Sequence, residues 1–163
     1  MKTQLIKGNR KEVAEYLKTN KNHGAILFGD VGVGKTYLLR RPRMVSASEL
    51  AMEFQASGIE KVKGIINDQI QFQGLNVVID DLGTEEDVKH FGNGLDPIAF
   101  VIQKIYDINQ RVEREDHKIK LWMTTNYEKD YLTKKYGERV IDRIWEMCDR
   151  IILKDTNLRK EDI

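Results

Sequence analysis

The sequence predicts an α/β fold in which a mostly parallel sheet is covered on both faces by helices. Three observations carry that expectation. Short apolar runs the size of buried strands, such as "AILF" at 25–28 and the Val77–Val78–Ile79 centre of "LNVVIDDLG", recur along the chain. Between them lie longer segments with apolar residues at helical spacing, so strands and helices alternate. The runs are continuous rather than alternating, as in strands buried on both faces.

Taken in order, Val13, Tyr16 and Leu17 predict a helix over 9–19, and Gly24 marks the break before the "AILF" strand. "RMVSA" at 43–47 is a weaker strand, after which Ser48 is expected to cap a helix reaching Ser57, where Gly58 interrupts it. "IEKVKGIINDQIQ" resumes helical spacing and leads to "LNVVIDDLG", the strongest strand. "DPIAFVIQKIYDINQRVERE" is an amphipathic helix with Pro97 in its first turn, where a missing N–H costs little. "IKLWMTTN" is the next strand. A short helix near Tyr131–Lys135 and a longer one in "GERVIDRIWEMCD" precede a final strand, "RIILK".

A chain of 163 residues is one domain's length, long enough to bury a core without staples. It is 40% apolar and 33% charged with a net charge of +1, an ordinary globular composition that points to no acidic or basic partner. The single cysteine, Cys148, forms no internal disulfide and reads as a small buried apolar side chain. With no membrane-length apolar run and no secretory leader, a cytoplasmic protein is expected. His23, His90 and His117 lack ligand spacing, and Trp122 and Trp145 read as core.

Gly29-Asp30-Val31-Gly32-Val33-Gly34-Lys35-Thr36 satisfies G-x-x-x-x-G-K-[ST], the Walker A pattern. Glycines let the backbone turn so that successive N–H groups converge on phosphate oxygens, and the helix that follows starts with unsatisfied N–H groups. Lys35 is expected to reach the outer phosphates and Thr36 to hold Mg²⁺ through its hydroxyl. Tyr37 completes the expected nucleotide-binding segment. An expected strand before the loop and a helix after it supply the context that makes the pattern meaningful.

A carboxylate at the end of a neighbouring strand should complete the site. Asp80 follows three apolar residues and is expected at the metal, while the adjacent Asp81 can orient or deprotonate water. Asn126, at the tip of "LWMTTN", can position a water without adding charge. Arg139 and Arg143, spaced i, i+4, share a helix face opposite an apolar side with Val140, Ile144 and Met147. Either arginine is a surface charge beside Glu138 or Asp142, or a finger reaching a neighbouring subunit's phosphates.

With these motifs in this order, the chain resembles the ATPase domain of the DnaC-type helicase loaders within the AAA+ class. It is also similar to the IstB transposition ATPases, and "DDLGTEEDVKHFGNGLDPIAFVIQKIYD" looks like phage and mobile-element versions. The resemblance covers about residues 8 to 155. It implies a three-layer P-loop NTPase fold with a five-stranded parallel sheet in the order 5-1-4-3-2. It also implies ATP and Mg²⁺ as cofactors, Asp80 as the Walker B metal residue, and Asp81 where many relatives carry a glutamate base. Asn126 would be sensor 1, and Arg143 an arginine finger acting in trans, with Arg139 as companion. The implied partners are further copies of the chain in an oligomer or filament, a replicative helicase and single-stranded DNA, with no membrane.

The chain departs from that family in three places. Only about 23 residues precede the first expected strand, so the likeness does not reach the extension with which loaders grip their helicase. The helical lid is nearly absent, leaving Arg159 as the one candidate for sensor 2 in a tail expected to be disordered. The expected division is a helical segment at 1–23, an ATPase core at 24–155 and a tail at 156–163. Third, Gly29 to Pro42 gives 14 residues for a whole parallel crossover, close to the minimum of about a dozen. The cradle needs only loop and first-turn N–H groups, so binding survives. Packing by Tyr37, Leu38 and Leu39 is reduced, two leucines contributing about 3–6 kcal/mol. Arg40 and Arg41 sit favourably at the helix's negative end.

Two rivals belong to other classes. A small P-loop kinase would phosphorylate a nucleotide or metabolite and would need arginines on a mobile lid. A nucleotide-responsive adaptor would bind with little turnover, consistent with an aspartate at position 81 and the missing lid.

Overall fold

The computed structural model describes residues 2–20, 23–90 and 94–155. In chain order the elements are β1 (Leu5–Gly8), α1 (Arg10–Thr19), β2 (Gly24–Phe28), α2 (Lys35–Leu39), β3 (Val45–Ser46), α3 (Ala47–Ser57) and α4 (Ile59–Gln73). There follow β4 (Asn76–Leu82), α5 (Pro97–Gln110), a 3₁₀ turn at Glu115–His117, β5 (Lys120–Thr125), α6 (Lys129–Tyr136), α7 (Glu138–Met147) and β6 (Cys148–Leu153). Helices α1 and α5 begin where a side chain satisfies their first N–H groups: the Asn9 side chain accepts from Glu12 N, and that of Asp96 from Ile98 N and Ala99 N.

All strand pairs are parallel, in the order β1-β6-β2-β5-β4-β3. This corrects the five-stranded sheet expected from the sequence to one of six: a strand added outside β6 changes the order from 5-1-4-3-2 to 1-6-2-5-4-3, while the other five keep their succession. The added strand is β1, whose four residues are half-buried or exposed and pair only with β6. Such an edge strand carries no apolar run, so periodicity could not announce it.

Alternation along the strands builds two apolar layers. Ala25, Leu27, Val78, Trp122, Ile151 and Leu153 face α1 and α2, where Val13 and Leu39 complete the cluster. On the opposite face Ile26, Val77, Ile79, Leu121 and Met123 meet the inner faces of α3 to α7, including Phe54, Ile102 and Ile144. Cys148 is fully buried there, and burial pushes its thiol pKa up. No described helix is long and apolar enough to cross a membrane.

The crossover after β2 is as short as its 14 residues suggested. Helix α2 stops at Leu39, and β3 has two residues rather than the five of "RMVSA". Ser46 accepts from Glu49 N and so caps α3, correcting the expectation for Ser48. Leu39 is buried and Leu38 packs partly against the same cluster, but Tyr37 is 77% exposed and adds nothing to the packing.

A two-residue β3 leaves the edge of β4 away from β5 without a partner strand at Val78. The Gln69 side chain of α4 fills that place: its Oε1 accepts from Val78 N at 2.8 Å and its Nε2 donates to Val78 O at 3.2 Å. Gln69 is fully buried, so Gln69→Ala strands two backbone groups, each costing about 1–3 kcal/mol. We expect urea denaturation to show a loss of at least about 2 kcal/mol, whereas an exposed glutamine would give almost none.

Candidate functional site

At the carboxyl end of β2 the chain turns through residues 29–34 before α2 begins at Lys35. Gly32 (φ 85°) and Gly34 (φ 95°) occupy the left-handed region that side chains disfavour. A Cβ on Gly29 would lie 3.0 Å from Leu153 O and 3.1 Å from Val33 Cγ2, so the loop needs glycine there to sit against β6. Val33 is buried in the cluster below and pegs the loop to the sheet, while Val31 stands half exposed.

Lys35 is only 5% exposed, and a buried ammonium requires acceptors. Its Nζ donates to Gly29 O at 2.6 Å and to Asp30 O at 2.8 Å, which places the charge inside the curve of the loop.

The next residue reaches β4, which is not the neighbour of β2 that the sequence suggested but lies one strand beyond it, with β5 between them. Thr36 Oγ1 donates to Asp80 Oδ1 at 2.9 Å and lies 3.1 Å from Oδ2. From β5, Thr124 Oγ1 donates to the same Oδ1. The parallel register sets this up: Ile79 is level with Met123 and Ser46 with Asp80, so Asp80 lies between two strand ends.

Adjacent strand residues ordinarily point to opposite faces. Asp81 escapes that rule because the β4–β5 register shifts between Ile79 and Leu82 and its own φ is 54°. A left-handed non-glycine residue costs about 1–3 kcal/mol and needs its surroundings to hold it. Thr124 Oγ1 accepts from Asp81 N at 2.9 Å, and Asp81 O accepts from Thr84 Oγ1 at 2.7 Å. The bulge re-aims Asp81, so both carboxylates line one cavity.

That cavity, of about 650 Å³, is also lined by Gly32, Lys35, Thr36, Tyr37 and Asn126, and its far wall is formed by Arg40, Met44, Ser46 and Glu49. Asn126 is exposed and sits one residue beyond β5. Thr124, Arg40 and Glu49 were missed by the sequence reading as site residues. Thr124 had a weak signal as a polar residue inside a buried run. Glu49 had one in Ser46-Ala47-Ser48-Glu49, a pattern that reads first as a helix capping box.

The turn after the carboxylates is clamped by α6. Gly83 N donates to Glu85 Oε2 and to Tyr136 Oη, Tyr131 Oη donates to Gly83 O, and Lys135 Nζ donates to Glu85 O. Tyr136 Oη also donates to the Glu85 carboxyl. Burial pushes the Glu85 carboxyl above its ordinary value of 4.5, with the Tyr136 hydrogen bond opposing that shift. Nothing in the local sequence distinguished Glu85 from its neighbours Glu86 and Asp87.

Arg139 and Arg143 stand outside the described residues that line this cavity. They border a separate groove on α7 with Glu138, Asp142, Trp145 and Glu146. Arg143 Nη1 donates to Tyr106 Oη at 3.0 Å and Glu146 Oε1 at 3.1 Å, and its guanidinium lies 4.0 Å from the centroid of the Tyr106 ring. Arg159 lies outside the described residues.

No family model and no curated protein matches the chain. Among solved structures, the Pif1 helicase from Candida albicans is similar with a TM-score of 0.49 and 15% sequence identity, over 94% of this chain and 40% of that one. The chain thus spans less than half the helicase's length, and the site stands on its own geometry.

Proposed function

We propose that the chain binds ATP with Mg²⁺ in the cavity between the glycine loop and Asp80 and hydrolyses it. One observation carries this: the Thr36 hydroxyl meets the Asp80 carboxylate directly at the mouth of a left-handed glycine loop that encloses the Lys35 ammonium. The residues fit the cofactors. Among the described residues no group of three or more His, Cys, Asp or Glu side chains could hold a metal by itself, which suits an ion completed by phosphate oxygens. Thr36 and Asp80 would hold the Mg²⁺, and Lys35 with the N–H groups from Gly32 to Thr36 would hold the phosphates. The ion neutralises phosphate charge when bound. Asn126 and Asp81, which line the same cavity, would orient the water.

The order of the four motifs further supports a DnaC-type loader or an IstB-like helper. Such a protein self-associates so that Arg143 completes a neighbour's site, and acts with single-stranded DNA and a replicative helicase. A second reading, the nucleotide-responsive adaptor with little turnover, is favoured by the Arg143 contacts, because the guanidinium must leave Tyr106 and Glu146 to reach another subunit. ATPase rate across a concentration series separates the two. A loader-like enzyme shows a specific rate that rises with concentration and collapses in Arg143→Ala. An adaptor binds Mg-ATP with negligible turnover throughout. If EDTA leaves ATP affinity unchanged, the Thr36–Asp80 metal assignment is wrong.

A further inference from the structure

We propose that Glu49, in the first turn of α3, is the catalytic residue that takes the proton from the attacking water; this rests on the ATPase reading above. Glu49 lines the same cavity as Lys35, Thr36, Asp80, Asp81 and Asn126, on the helix that follows β3, whose Ser46 is level with Asp80.

Beyond its favourable charge in the first turn of α3, that carboxylate makes no hydrogen bond or ion pair among the described residues. A capping box would close in both directions, with Ser46 Oγ accepting from Glu49 N and the Glu49 carboxylate accepting from Ser46 N. Only the first bond is formed, at 3.0 Å. Ser46 belongs to β3 and is level with Asp80, so its backbone serves the sheet and the Glu49 side chain is left on the cavity wall.

The two aspartates are committed differently. Asp80 accepts from Thr36 and Thr124, as a metal anchor should. Asp81 is fixed at its backbone by Thr124 and Thr84, next in sequence to a second negative charge and on a side chain one methylene shorter than glutamate. A general base must come within hydrogen-bond reach of the water while staying clear of the metal anchor. Glu49 lines the cavity and, among the described residues, makes no bond to Asp80 or Thr36, and the 3.3 Å contact between Ser48 Oγ and Thr84 Oγ1 ties its helical turn to the Asp81 bulge.

In the step proposed, the water oxygen forms a bond to the terminal phosphorus as the bond from that phosphorus to the β,γ-bridging oxygen breaks. ADP leaves with the electron pair of the broken bond. The water proton passes to the Glu49 carboxylate and from there to the departing inorganic phosphate.

The test compares wild type, Glu49→Gln and Asp81→Asn by titration with Mg-ATP, by single-turnover mixing and by steady-state hydrolysis. Glutamine keeps the size and the backbone cap of Glu49, and far-UV circular dichroism checks the fold. General-base assistance is worth about 100- to 10,000-fold, so Glu49→Gln should lose at least about 100-fold in turnover. Its Mg-ATP affinity should match wild type, with bound ATP accumulating unhydrolysed in the single-turnover experiment. Asp81→Asn should retain more turnover than Glu49→Gln. Wild-type turnover in Glu49→Gln, or a larger loss in Asp81→Asn, overturns the assignment and leaves the ATPase reading intact. A wild-type protein that binds no Mg-ATP overturns both.

Discussion

Lys35→Ala is expected to reduce the rise in melting temperature that a given Mg-ATP concentration produces and to weaken nucleotide affinity by about 10- to 150-fold. That range corresponds to the roughly 1.5–3 kcal/mol of a hydrogen bond to a charged group. The reason lies in how the ammonium is stored. It is buried within the loop, where Gly29 O and Asp30 O already hold it, so little side-chain freedom remains to be lost when phosphate arrives. Removing it deletes the one lysine charge on the cavity wall while leaving the glycine geometry in place. Gly29 is half-buried and Asp30 exposed, so water can take over the lost contacts and stability without nucleotide should change little. Calorimetric titration and thermal melting with and without Mg-ATP measure both parts. Undiminished affinity in Lys35→Ala would show that the loop is a glycine turn and no phosphate cradle.

Gly24→Ala is expected to cost at least about 3 kcal/mol, the upper end of ordinary overpacking, and to lower nucleotide affinity as well. A Cβ on Gly24 would lie 1.9 Å from Leu121 O and 2.7 Å from both Leu121 N and Leu121 C. All three are backbone atoms, so no rotamer change relieves the clash, and the strands β2 and β5 must move apart. Those two strands carry the glycine loop and Thr124, which places the damage upstream of the site. Gly64 is the matching control: it lies inside α4 with nothing within 4 Å of an added Cβ, and Gly64→Ala should stabilise by about 0.5–1 kcal/mol. Chemical denaturation of both variants checks the contrast. Equal small effects would mean that the sheet tolerates a side chain where the geometry leaves no room.

Much of the site was legible because its chemistry is written contiguously. The glycine loop, Lys35 and Thr36 occupy eight consecutive positions, and Asp80 is announced by the apolar run that ends beside it. The short crossover was legible too, since Pro42 and the distance to "RMVSA" leave little chain to spend. Other features had no local signature. Strand β1 exists because β6 offers it an edge, and its residues "LIKG" show neither period. The Asp81 bulge depends on Thr124, 43 residues away, and the carboxyl of Glu85 on Tyr136, 51 residues away. Tyr37 looked like a packing residue from its type and position, yet one turn of helix turns it to solvent.

By itself, then, the sequence determined the alternation of strands and helices, the glycine loop before Lys35 and the pair of carboxylates at the end of β4, because each of these follows from neighbours along the chain. Tertiary structure alone decided that Asp80 and Asp81 share a cavity, that Glu49 joins them there, and that Arg143 turns instead toward Tyr106 and Glu146. Those outcomes depend on the register between strands and on which helix faces meet, and both are fixed by packing among residues that the chain keeps far apart.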